Sequence, residues 1–251
     1  MPEVAQGHIY KQQATSNKQR ATSNEQQATS NEQRMPFTPE QFFAVFARYN
    51  AGIWPMQVVL NAVAILIVAF LYSGREWASR QISKLLALLW AWMAIGYHFF
   101  HFSGINPAAW LFGAVFLLGA FAFVWFGVVK DKLVFRPVAG ARGIAGAVFV
   151  VFALVLYPAI GYLAGHRYPA APTFGLPCPT TIFTLGVLLF AAHPVPRWVV
   201  VVPLLWAVVG SLAAFQLGLI EDLALLAAGV VAIVVMLVWP APQRRISMGV
   251  E

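Results

Sequence analysis

The chain has 251 residues, 60% of them hydrophobic and 10% charged, with a formal net charge of +7. An ordinary soluble domain carries about 25% charged residues, so this composition excludes that class. Acids are rarest: none lies between Glu76 and Asp131 or between Asp131 and Glu221.

The apolar runs are long and continuous rather than alternating, which predicts helices and not barrel strands. In lipid, helices of this kind satisfy their own backbone groups. The expected fold is therefore an all-α, polytopic helical membrane protein. Basic residues cluster in loops, so membrane topology explains the charge better than nucleic-acid binding does. One cysteine cannot form an internal disulfide. The first strongly apolar run begins after Gly52, so no cleavable signal peptide is expected.

Residues 1–34 contain three polar heptads, QQATSNK, QRATSNE and QQATSNE, at 12–18, 19–25 and 26–32. Without an apolar seam they do not read as a coiled coil. A disordered low-complexity tail is expected; a misplaced start is the favoured origin, since MPFTPEQF at Met35 looks like a natural N-terminus. Residues 35–51 form the next region. Thr38 suits an N-cap, Pro39 the first helical position and Gln41 the capping-box position. Phe42, Phe43, Val45, Phe46 and Tyr49 gather on one side, which predicts an interfacial amphipathic helix.

A membrane domain over 52–241 follows, with a short cytoplasmic tail at 242–251. About seven spans are expected: Gly52–Tyr72, Ser83–Phe102, Ala108–Val129, Gly143–Leu163, Pro179–His193, Trp198–Leu217 and Asp222–Trp239. Asn106-Pro107 should start the third, and Pro158 should bend the fourth. Arg75, Arg80, Lys84, Lys130, Lys132, Arg136, Arg142, Arg197, Arg244 and Arg245 then share one side. The positive-inside rule makes that side cytoplasmic, with the N-terminus outside and the C-terminus inside. Trp54, Trp77, Trp198 and Trp239 fall near span ends, as an aromatic belt does.

This topology sends His98, His101, Asn106, His166, Arg167, the Cys178 stretch and Glu221-Asp222 outward. The stretch GHRYPAAPTFGLPCPTTIFT, residues 165–184, is the densest in unusual chemistry. The fifth span has about 14 residues, roughly 21 Å of helix. The hydrocarbon core is ~30 Å thick, so the preceding loop is expected to dip into the membrane. Cys178 reads as the N-cap, with the N–H groups of Thr180 and Thr181 favouring its thiolate; the plainer alternative is an inert buried cysteine. His98 and His101, three apart, share a helical face, and with Cys178 they suggest a soft or borderline metal ion. They also fit as interfacial anchors. Arg167 suits an anionic solute or a pairing with Glu221 or Asp222, while Asp222 suits a helix cap.

No Walker A, GxSxG, HExxH or CxxC motif is present. From Met35 the chain resembles a group of bacterial integral membrane proteins classified as a domain of unknown function, numbered 6064. MPFTPEQFFAVFARYN, AIGYHFFHFSGINPAAWLFG, GHRYPAAPTFGLPCPTTIFTLG, HPVPRW and PLLWAVVGSLAAF carry the resemblance, over residues 35–240. It implies a multi-pass protein of the bacterial inner membrane and assigns no activity. The expected function is a permease or transport-related protein for a small solute or metal ion, with the lipid bilayer as its surroundings. A thiol or redox enzyme using Cys178, and a non-catalytic sensor or assembly subunit, are the alternatives.

Overall fold

A computed structural model describes residues 15–20, 22–23, 36–217, 219 and 222–238. The chain divides into two compact units, residues 1–42 and 43–251. In the first, residues 15–20 and 22–23 are helical, and the Thr22 hydroxyl donates to the Lys18 carbonyl at 2.7 Å. The rest of the expected polar tail lies outside the described residues. The capping box forms as its residues predict. The Thr38 N–H donates to Gln41 Oε1 at 2.9 Å, and the Gln41 N–H donates to Thr38 Oγ1 at 3.3 Å.

Helix α1, Pro39–Gly52, runs from this cap, and α2, Met56–Tyr72, leaves it at 85°. Four longer helices follow in the second unit: α3 Ala78–Gly104, α4 Ala109–Val129, α5 Gly140–Leu163 and α7 Arg197–Leu217. Two shorter apolar helices, α6 Pro177–Leu188 and α8 Leu223–Val238, complete the set. The described residues contain helices and isolated bridges but no strand. By length and composition, four helices can cross a membrane, or five if α1 and α2 count as one bent span. Seven such helices were expected. Among the described residues α6 has 12 residues and α8 has 16, fewer than a full crossing needs, and the chain after Val238 lies outside them. Trp239, Arg244 and Arg245 lie outside the described residues.

Three of the long helices widen into π turns, at Met93–Phe99, Trp125–Val129 and Phe152–Leu156. The last stands directly before Tyr157-Pro158. Proline has no N–H to donate, and the π turn changes the hydrogen-bond register where that donor is missing. Helix α5 runs through Pro158 as a continuous 24-residue helix.

The surrounding helices expose Leu, Ile, Val and Phe widely, as lipid-facing helices do; Phe215 and Leu237 are among the most exposed. Helix α6 is the opposite. Every residue from Pro177 to Leu188 except Cys178 is buried, against α5, α7 and α8. Its crossing with α5 brings backbone onto backbone. A Cβ at Gly186 would meet the Gly146 carbonyl oxygen at 2.9 Å, and one at Gly146 would meet that of Gly186 at 2.9 Å.

Hydrogen bonds hold both ends of this core helix. Beyond its C-terminus, Ala191 bridges Phe135, with the Arg136 N–H on the Phe190 carbonyl and the Ala192 N–H on that of Val134. Ser79 ties the same loop to α3, its Oγ accepting from the Phe135 N–H at 2.9 Å. In mid-helix, Trp90 Nε1 donates to Thr184 Oγ1 at 3.1 Å.

Gly186→Val should therefore be poorly tolerated. Forcing apart a backbone contact in a packed core costs about 1–3 kcal/mol. Thermal unfolding in detergent should show a clear fall for this variant. Leu118→Val, on an exposed position of α4, should leave the midpoint nearly unchanged.

Candidate functional site

The site is built at the N-terminal end of α6, where the connection 164–176 meets α1, α2 and the end of α5. Asn50, fully buried near the end of α1, organises it. Its Nδ2 donates to the Pro169 and Ala171 carbonyls, each at 2.7 Å, and its Oδ1 accepts from Thr173 Oγ1 at 2.7 Å. Its own carbonyl accepts from Gln57 Nε2 at 2.6 Å and from the Tyr168 hydroxyl at 3.3 Å. One amide thus uses both its donor and its acceptor faces to shape a loop more than 110 residues away.

Tyr49 supplies the second anchor. Its hydroxyl accepts from Trp92 Nε1 at 2.8 Å and donates to the Gly175 carbonyl at 3.1 Å. Gly175 has φ +101, and a Cβ there would strike Leu60 at 2.4 Å, so the position needs glycine on both counts. The Gly175 N–H then donates to Thr180 Oγ1 at 3.1 Å, which closes the loop onto α6.

The helix starts two residues earlier than its sequence suggests. Leu176 is extended, φ −80 and ψ 158, and takes the cap position, while Pro177 and Pro179 occupy the first turn. Cys178 is therefore inside the helix and is not its N-cap. The reason is Pro177, whose fixed φ already suits the first helical position. The Thr180 N–H bonds the Leu176 carbonyl at 3.3 Å, so it does not point at the sulfur. Cys178 remains partly exposed between two buried prolines. Thr181, three residues on and on the same helical face, is fully buried, and its hydroxyl has no hydrogen-bond partner.

Opposite this face lie groups that the sequence did not join. The Tyr157 hydroxyl of α5 donates to Asp222 Oδ1, and Asp222 is only 3% exposed. Tyr97 of α3 is also buried. Its ring packs edge-on against Tyr49 at 5.7 Å and stacks on Phe102 at 5.5 Å. Asp222 reads in sequence as a surface helix cap; the signal for burial is its place in a run with almost no other acid.

The remaining candidates separate. His98 and His101 do not share a face, because the π turn over Met93–Phe99 alters the α-helical spacing. His98 turns into aromatic rings of α4 and α7. His101 packs on Tyr49 and places Nδ1 2.6 Å from the Gly96 carbonyl. Among the described residues, no three His, Cys, Asp or Glu side chains form a group that could hold a metal ion. His98, His101 and Cys178 therefore do not make the expected cation site. Asn106 lies in the turn before α4, its Oδ1 accepting from the Ala108 N–H at 3.0 Å, and Ala108 rather than Asn106 takes the cap position. His166 packs on Phe43 at 5.0 Å, and the Arg167 guanidinium lies over the Tyr162 ring at 3.6 Å. Glu221 lies outside the described residues.

An all-helical chain with several apolar helices of crossing length fits the class of helical membrane proteins. The chain belongs to a family of unknown function (DUF6064), whose family model matches residues 39–246. Comparison with curated proteins and with solved structures gives no match.

Because Asn50 serves five groups, Asn50→Asp should destabilise the loop severely. It removes both amide donors and sets a carboxylate against two carbonyls, at about 1–3 kcal/mol for each group left unpaired. The expected result is a lowered thermal midpoint together with faster alkylation of Cys178 as the loop loosens. Unchanged values of both would contradict the anchoring role.

Proposed function

We propose that this protein is a multi-pass membrane permease, or a transport-related protein, for a small polar solute. The observation that carries this reading is Asp222, a carboxylate buried within the helical bundle and hydrogen-bonded by Tyr157. Ionisable groups at membrane depth are costly, and they commonly mark solute or ion pathways. The core helix beside it supports the same reading. At 1.5 Å per residue α6 is about 18 Å long, against a ~30 Å hydrocarbon core. The proposed arrangement is seven alternating crossings, with α6 as a half-helix and its preceding loop dipping into the membrane. Irregular backbone is tolerated there because protein surrounds it.

Orientation follows from the opposite end of the bundle. Arg75, Lys130 and Arg197 lie over Trp77, Trp125 and Trp198 at 5.4, 5.0 and 5.2 Å from the ring centroids. Lys132 and Arg136 fall in the same connection as Lys130, and Arg80 and Lys84 in the first two turns of α3. In the proposed topology this basic, tryptophan-bearing end faces the cytoplasm of a bacterial inner membrane, and the Cys178 end faces outward. The interfacial helix α1 lies across the outer surface.

A thiol-based activity is the second reading, favoured by the partial exposure of Cys178 in the first turn of a helix. It predicts rapid modification by iodoacetamide at neutral pH, faster than that of a denatured control. A thiol that reacts only after denaturation would exclude it.

The transport reading is tested in cells that express wild-type protein, Asp222→Asn or Cys178→Ala at matched membrane levels. Profiling solutes inside the cells and in the medium should reveal a species redistributed by wild-type protein. Asp222→Asn should lose at least about 90% of that effect, as removal of a buried functional charge does. A wild-type profile from Asp222→Asn would sink the proposal.

A further inference from the structure

Arg142, in the first turn of α5, has no role in the site described so far. It is 6% exposed, and its Nε is buried without a hydrogen-bond partner. Among the described residues, the other arginines and lysines at this end of the bundle are exposed. Exposed basic residues are enough to set membrane topology. A guanidinium withdrawn from water needs a further reason, because an unpaired buried charge is costly.

The start of α5 makes that cost larger. A helix N-terminus carries partial positive charge, so a cation in the first turn meets a field of its own sign. No side chain caps the first N–H groups; Ala139, extended at φ −81 and ψ 169, occupies the cap position. Among the described residues, the acids at this end are Glu76 and Asp131, and both are exposed. The buried acid among them is Asp222, hydrogen-bonded by Tyr157. Tyr157 stands 15 residues further along α5, about 22 Å of helix.

The fold also fixes where the Arg142 side chain runs. Arg142 and Gly146, four apart, share a face of α5. That face packs on the residues just past α6, since a Cβ at Gly146 would meet the Phe190 ring at 2.7 Å. The Arg136 N–H donates to the Phe190 carbonyl at 3.0 Å, so Arg136 and the Arg142 face of α5 meet at Phe190. Helical side chains lean toward the helix N-terminus, which directs Arg142 back to the uncapped turn. On the lipid side, Ile144, Val148, Val151 and Val155 form an exposed apolar stripe along the same helix.

We propose that Arg142 and the uncapped start of α5 bind a phosphoryl anion, with Arg136 at the rim. The guanidinium offers paired N–H donors that match phosphate oxygens. The free N–H groups of the helix start add donors of the same kind. The headgroup of an anionic phospholipid and a soluble phosphate both carry this chemistry. The exposed stripe gives the acyl chain of a lipid a path beside its headgroup. This inference does not rest on the transport reading, and its test measures binding alone.

The test uses the full chain purified in a non-ionic detergent. Native mass spectrometry compares retention of dioleoylphosphatidylglycerol with that of dioleoylphosphatidylcholine, and phosphorus NMR follows inorganic phosphate. Retention of the glycerol lipid about tenfold above the choline lipid assigns the lipid source; broadening of the phosphate resonance assigns the soluble one. In Arg142→Gln the signal obtained should fall about tenfold, the loss of a charge-assisted contact. Ala139→Asp serves where Arg142→Gln fails to fold. Its carboxylate caps the same N–H groups and supports the helix, and it should also drive the anion away. The proposal is overturned if the wild-type protein gives neither signal, or if either folded variant keeps it. An equal fall in Lys84→Gln, which removes an exposed charge of α3, would also overturn it, since that marks general attraction to the basic end.

Discussion

Asn50 is the constraint on which the end of the bundle around the start of α6 depends. A buried side-chain amide in a bilayer-facing protein must have its donors and acceptors met, because water is not there to meet them. Here the amide meets them with the backbone and side chains of a single loop, at Pro169, Ala171 and Thr173. That loop carries four prolines between residues 169 and 179 and so has few N–H groups of its own to form regular structure. Its shape is imposed from α1, and the start of α6 inherits it through Gly175 and Thr180.

With both ends pinned, α6 becomes a fixed central post rather than another lipid-facing span. Its almost complete burial follows from that position, as does its short length, since the other helices shield it from lipid. The arrangement also concentrates polarity. Cys178 and Thr181 share one face of the post, and Tyr97, Tyr157 and Asp222 come from the helices around it. Packing of apolar side chains builds the enclosure, and the few polar groups inside acquire weight because so little else there can solvate them.

Much of this was legible in local patterns. The Thr38–Gln41 capping box and the long apolar helices follow from residues close together in sequence, where propensity and spacing operate. What escaped was long-range. Tyr157 and Asp222 stand 65 residues apart, and nothing in either local sequence announces the other. Asn50 and its loop partners Pro169, Ala171 and Thr173 are likewise far apart in sequence. The π turn over Met93–Phe99 defeated the inference about His98 and His101 because α-helical spacing is the premise of that inference, and one widened turn removes it. The early start of α6 was readable in principle, since Pro177 suits the first helical position as well as Pro179 does.

The central claim is that the Cys178 end of α6 opens to water inside an otherwise lipid-embedded bundle. Because Cys178 is the sole cysteine of the chain, a nitroxide can be attached there without altering any other residue. The most direct measurement is its collision rate in liposomes with a water-soluble nickel chelate, compared with that of lipid-soluble oxygen. The account predicts strong collision with the chelate and weak collision with oxygen. A label relaxed chiefly by oxygen would place Cys178 against lipid and contradict it.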